Sequence, residues 1–158
     1  MFVNRCTETA SEDYIFVPLQ IESDSNIQRH SRFSNGMQEF IDFIESYYKT
    51  EKIVFKAHPL DTKASSYRLR KGIWSSASSL DLIMHAKCVH GINSSVLSEA
   101  ALYGVPVIAE GDCLLKAHDN QQEKLIAAII ARQFNTNETH FDAKKLSRFT
   151  NFKHQEFI

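Results

Sequence analysis

Short continuous apolar runs alternate along this chain with apolar residues at helical spacing, and that alternation sets the expected architecture. Tyr14-Ile15-Phe16-Val17-Pro18-Leu19-Gln20 is an aromatic and β-branched run with the length of a strand. After a polar stretch, Met37, Phe40, Ile41, Ile44 and Tyr48 recur at helical spacing, with Ser34 or Asn35 available as the N-cap. Lys52-Ile53-Val54-Phe55-Lys56 is a second strand. Ala57-His58-Pro59 stops it, because proline donates no ladder bond and the residue before it resists helix. Leu60 to Ser79 carries little pattern beyond a short strand at Ile73-Trp74, and a helix follows from about Ser79 to Ala86. Lys87 to Ile92 reads as the next strand. Asn93-Ser94-Ser95 then turns into a helix ending near Tyr103, and Gly104 sits where a helix C-terminus favours glycine. Val105 to Ala109 is a further strand. Leu125, Ile126, Ile129, Ile130 and Phe134 mark an amphipathic helix, and Phe141, Leu146, Phe149 and Phe152 a last one.

Strands of about five residues separated by helices predict βαβ units, hence an α/β fold with a mostly parallel sheet and helices on both faces. With 158 residues and 18.1 kDa there is room for one domain, expected over residues 14–158 behind a disordered or extended stretch at 1–13. In such sheets ligands bind outside the carboxyl ends of the strands. Three polar clusters directly follow predicted strands: Gln20 to Ser25, His58-Pro59 and Asn93-Ser94-Ser95. The expectation is that they converge around a common hollow although far apart in sequence.

Composition narrows the partners. Lys and Arg number 18 against 19 Asp and Glu, so the formal charge of -1 supplies no global attraction for nucleic acid. No apolar run is long enough to span a bilayer, and Met1 to Asp13 has no apolar signal core. Three widely spaced cysteines, Cys6, Cys88 and Cys113, make no disulfide framework, so the expected location is the cytoplasm, at most peripheral to the inner membrane. Only 5 glycines are present, and neither a dinucleotide or Walker-type fingerprint nor a Gly-x-Ser-x-Gly elbow occurs.

Chemistry concentrates in the three clusters. The first turn of the helix after Asn93-Ser94-Ser95 offers free N–H groups, a partial positive charge and hydroxyl donors, which suit a phosphate. The same serines also serve as an ordinary N-cap. Glu99, one turn on, reaches for sugar hydroxyls or stands as a solvated helix residue. His58, fixed by Pro59 and preceded by Lys56, is a preorganised donor for a phosphate or ring hydroxyl. Gln20 to Ser25 brings an amide and two carboxylates, residue types that also dominate plain turns. His85, Cys88 and His90 invite a metal reading, but no fourth ligand is apparent and packing roles are expected, so neither metal nor cofactor is assigned. Phe40, Phe43, Tyr47 and Tyr48 read as packing residues.

The order of these motifs resembles a known family. Phe16-Val17-Pro18-Leu19-Gln20 with Asp24-Ser25, Lys56-Ala57-His58-Pro59, and Asn93-Ser94-Ser95-Val96 with Glu99-Ala100 and Gly104-Val105-Pro106-Val107 together resemble the bacterial capsule polysaccharide biosynthesis proteins. That family includes retaining β-Kdo glycosyltransferases that use CMP-Kdo, and the similarity covers roughly Tyr14 to Gly111. The resemblance implies a Rossmann-like domain like the nucleotide-sugar-binding half of a GT-B glycosyltransferase. It implies that His58, Ser94 and Ser95 grip the donor's CMP, with Asp24 and His58 catalytic and Asp24 the covalent nucleophile. Gln20, Lys56, Asn93 and Glu99 join the expected donor site from their places in the same clusters. A glycan or glycolipid acceptor is implied, together with a partner domain or second copy supplying acceptor contacts and an acid/base residue. Leu97 stands where the family usually has glycine, so its side chain is expected to crowd the donor site. That departure and the short chain support an alternative, a non-catalytic scaffold or regulatory module that keeps the half fold. A different nucleotide-sugar enzyme on the same architecture, epimerase-like, is a third reading.

Overall fold

The computed structural model describes residues 14–132. In β1 (Tyr14–Pro18) every side chain is buried, and the alternation of a strand divides them between two faces. Ile15 and Val17 point into one apolar layer, Tyr14 and Phe16 into the other. A strand buried on both faces belongs in the middle of a covered parallel sheet, and β1 lies there. β2 (Lys52–Lys56), β3 (Ile73–Trp74), β4 (Ala86–Gly91) and β5 (Val107–Ala109) complete five parallel strands in the order β3-β2-β1-β4-β5. That is the Rossmann order, whose direction reverses between β1 and β4.

Helices α1 (Ser25–His30) and α2 (Met37–Tyr47) join β1 to β2 and cover one face. Ile27, Met37, Phe40, Ile41 and Ile44 pack there against Ile15, Val17, Ile53 and Phe55. α3 (Ser79–His85), α4 (Ser95–Leu102) and α6 (Gln122–Arg132) cover the other face, while α5 (Leu114–Ala117) adds Leu115 to that layer. Leu82, Ile83, Leu97, Ala100 and Ile126 meet Tyr14, Phe16, Val54, Val89 and Val107. The result is three layers, helices over sheet over helices, as the pattern of the sequence predicts.

Element ends follow local chemistry. Ser78 and Ser94 cap α3 and α4 through their hydroxyls, which accept the N–H of Asp81 and Val96 at 3.1 and 3.2 Å. Gly104, at φ +74°, turns the chain out of α4, and the Val105 N–H returns to the Ala100 carbonyl at 3.0 Å. The N-cap of α2 differs from expectation. Neither Ser34 nor Asn35 caps it: Gly36 holds that position at φ +122°, and the Glu22 carboxylate, reaching over from the loop after β1, accepts the Met37 N–H at 3.2 Å. β5 begins at Val107, later than expected, because Pro106 has no N–H to donate, although its carbonyl accepts from Val89 at 2.9 Å. α1 and α5, each six residues or fewer, are too short to leave a periodic signature and were not predicted. The expected tail at 1–13, the last helix at Phe141–Phe152 and Phe134 lie outside the described residues. Among the described residues no helix is long and apolar enough to cross a membrane.

Candidate functional site

The carboxyl ends of all five strands share one rim, and the polar clusters lie along it. The loops after β1 and β4 flank the point where strand order reverses. There Gln20 and Asn93 hold one another: the Gln20 Nε2 donates to Asn93 Oδ1 at 3.0 Å, and the Asn93 N–H donates to Gln20 Oε1 at 3.2 Å. Asn93 Nδ2 also donates to the Asn26 carbonyl in α1 at 3.2 Å. This brace aligns the crevice, and it means that both expected ligand contacts already spend their amides within the protein.

Beside the brace, Asp24 caps α1, its Oδ1 accepting the Asn26 N–H at 2.9 Å. Its other carboxylate oxygen takes no hydrogen bond from the described residues. Ser94 Oγ accepts the Val96 N–H, leaving its own hydroxyl hydrogen free to donate. Ser95 opens α4 and is exposed, while Glu99 is half-buried one turn further on. At the end of β2, His58 Nδ1 accepts the Leu60 N–H at 3.2 Å, so a neutral ring carries its proton on Nε2. Lys56 Nζ donates to the Ala77 carbonyl at 2.8 Å, tying the loop after β3 to the rim.

The rim is subdivided. Three hollows with no shared lining residue open along it, of about 740, 480 and 380 Å³. His58 and Lys56 line the largest; Asp24 and Ser94 line none of the three. The second is bounded by Glu22 and Lys63, whose ion pair links the loop after β1 to the segment after His58. That pair and the Met37 N–H hold Glu22 below the ordinary carboxylate range, so its carboxylate is a structural cap and tie. One edge therefore collects the three clusters as expected, but not around one undivided hollow.

Leu97 corrects a second expectation. Its side chain is fully buried in the layer of Phe16, Val89, Ala100 and Val107, directly against Gly91. It points down into the core from α4 and does not crowd the rim. Of the two grounds for a non-catalytic relative, crowding by Leu97 is thereby removed, while the shortness of the chain stands.

Two polar constellations were not foreseen in the sequence. Glu45, on the buried stripe of α2, accepts the N–H groups of Arg70, Lys71 and Gly72 at 2.9–3.1 Å and so shapes the approach to β3. A glutamate four residues after Ile41 and one before the end of an apolar stripe was the available signal. His90 is completely buried, ringed by the edges of Phe40, Phe43, Tyr47 and Tyr48. Its Nδ1 meets the Tyr48 hydroxyl at 2.9 Å and its Nε2 the Glu110 carboxylate at 3.0 Å, while Arg32 pairs with the other Glu110 oxygen at 2.9 Å. An ionised Glu110 can only accept, so Nε2 carries the proton and the tyrosine hydroxyl donates to Nδ1. Burial depresses the His90 pKa, overcoming the opposite pull of Glu110. The native state thus binds fewer protons than the unfolded chain, and stability is complete above about pH 6.5 and falls as pH drops through the lowered value. Unfolding free energies from urea titrations across that range are expected to slope by up to about 1.4 kcal/mol per pH unit in the wild type. A His90→Gln variant should lack that part of the slope; an unchanged slope would remove His90 from the account.

The metal reading does not assemble. His85 Nδ1 bonds the Asp81 carbonyl at 2.8 Å, burial pushes the Cys88 thiol up to about 11, and His90 is committed to Tyr48 and Glu110. Among the described residues no group of three potential ligands comes together, and Cys88 and Cys113 are both unpaired.

A parallel sheet in this order, with polar loops and a serine-capped helix at the reversal, defines a Rossmann-like α/β domain of the kind that GT-B glycosyltransferases contain. The chain belongs to the capsule polysaccharide biosynthesis protein family, whose model matches residues 3–118. It is similar to KpsC of Thermosulfurimonas dismutans, a beta Kdo 2,7 transferase, with 28% identity and a TM-score of 0.52 over 65% of this chain and 34% of that one. It is also 30% identical to protein FixF of Sinorhizobium fredii (strain NBRC 101917 / NGR234), over 75% of this chain and 33% of FixF. The chain spans about a third of the length of each.

Proposed function

We propose that this chain binds the CMP-sugar donor, CMP-Kdo, of a glycosyltransferase that builds capsule or related surface polysaccharide. The observation that carries the reading is the brace of Gln20 on Asn93, which, with the Asn93 bond to Asn26, ties the start of α4 to the helix that Asp24 caps, at the strand-order reversal of a chain similar to a Kdo transferase. Ser94 and Ser95, with the dipole of α4, hold the phosphate; Glu99 serves the ribose; His58 Nε2 and Lys56 add donors from the next loop. Gln20 and Asn93 position these groups through their mutual bonds.

Asp24 is the nucleophile of a retaining double displacement. Its unengaged oxygen attacks the anomeric carbon, a carboxylate ester to the sugar forms, and the bond to the CMP phosphate breaks, its electron pair leaving with CMP. His58 and the helix terminus stabilise the charge on that departing phosphate. An acceptor hydroxyl then displaces Asp24, its proton passing to a base on a second domain that also binds the glycan or glycolipid.

Titration calorimetry with CMP, CMP-Kdo and a UDP-sugar tests the reading. Saturable binding of the two cytidine compounds alone is expected, and no saturable binding of any would end it. In the Ser94→Ala, Ser95→Ala double variant the CMP heat is expected to disappear, while unfolding free energy changes by no more than about 2 kcal/mol, the cost of a helix cap.

A further inference from the structure

The largest of these three hollows contains the chain's single tryptophan. Trp74 ends β3, an edge strand of two residues, and 43% of it remains exposed. Its indole rests against Phe55, with ring centroids 6.0 Å apart and planes tilted by 55°. The rest of the residue lines a cleft of about 740 Å³ with His58, Tyr67 and Arg68.

We infer that this cleft receives the planar base of the nucleotide, stacked on the indole of Trp74. The inference rests on the reading above that a nucleotide binds at this rim. Three features carry it. The volume lies within the range of small-ligand pockets, and apolar walls with a few polar groups are their usual lining. The cleft is framed to stay open: Lys56 ties the Ala77 carbonyl, and Arg68 is fixed by the carbonyls of Ser65 and Tyr67 and, through its N–H, by Gln38. Its distance also fits. Trp74 ends β3, three strands from β4, so it and the start of α4 are about 14 Å apart along the rim, a gap that a nucleoside monophosphate closes with its base stacked on the near side of the indole and its phosphate a hydrogen-bond length from α4. Ser75 and Ser76 border the cleft and supply polar groups for the base edge, while stacking itself is indifferent to which base it holds.

Because Trp74 is the only indole, its fluorescence reports on this cleft alone when tyrosine is not excited. CMP is expected to quench it along the same saturation curve that calorimetry gives, and ribose 5-phosphate, which has no base, should leave it unchanged. Trp74→Ala should weaken CMP roughly ten- to a hundredfold without altering ribose 5-phosphate binding, and Trp74→Phe should keep most of the affinity. Thermal melts of both variants separate this effect from loss of fold. If CMP binds the wild type without a fluorescence change and Trp74→Ala binds it within twofold, the base lies elsewhere while the donor-binding reading stands. Absence of any saturable CMP binding would overturn both.

Discussion

Leu97→Gly is expected to lower the stability of the fold by about 4–6 kcal/mol without improving nucleotide binding. Truncating a fully buried leucine costs about 3–5 kcal/mol, and glycine inside a helix adds about 1 kcal/mol relative to alanine. Both losses apply, since the side chain fills the layer between α4 and the sheet against Phe16, Val89 and Gly91. For a domain whose total stability is on the order of 5–15 kcal/mol, the variant loses a large share of its margin and, toward the low end of that range, is partly unfolded at ambient temperature. Urea unfolding measures the loss, and CMP titration of the remaining folded fraction measures the site. A variant as stable as the wild type, or one that binds CMP more tightly, would show that Leu97 belongs to the crevice after all.

The second large effect concerns Glu45. Alanine there leaves three successive N–H groups, those of Arg70, Lys71 and Gly72, without their acceptor at a part-buried turn. A cost of about 3–5 kcal/mol is expected, with Glu45→Gln milder because its carbonyl oxygen still accepts. Burial works to raise the Glu45 pKa, but the backbone donors together with Arg70 outweigh it and hold the carboxyl below the ordinary range. The sign follows: this contribution is fully present above the unfolded carboxylate pKa and is lost as pH falls through the lowered native value. Wild-type and Glu45→Gln unfolding midpoints should therefore draw together on acidification. Equal midpoints at neutral pH would refute the role. The loop that Glu45 organises leads directly into Ile73-Trp74, so in these variants the fluorescence of Trp74 should also change.

Most strands and the long helices were legible because burial writes itself into periodicity. Ile53-Val54-Phe55 and Val89-His90-Gly91 are buried, and Phe40, Ile41 and Ile44 mark the inward stripe of α2. What escaped were contacts between segments far apart in sequence. Glu22 reads in the sequence only as one of two carboxylates in a polar cluster, yet it caps α2 and pairs with Lys63, neither of which local spacing reveals. Gln20 and Asn93 were both picked out, but as independent ligand contacts; their bond spans 73 positions. Leu97 was misplaced for a simpler reason. A helix that starts at a binding rim has one face toward the rim and another toward the sheet, and the motif alone did not say which face its third residue takes. Trp74 was read only as strand, since two residues give no alternation from which exposure can be judged.

The brace between Gln20 and Asn93 carries a consequence for inheritance. The Gln20 amide spends both its atoms on residue 93, donating to the Asn93 side-chain oxygen and accepting from the backbone N–H, so changing either residue strands a polar group on its neighbour across the crevice. The two positions therefore drift as a couple: in a collection of relatives, a substitution at one is expected to appear with a compensating substitution at the other, and lone changes are expected to be rare.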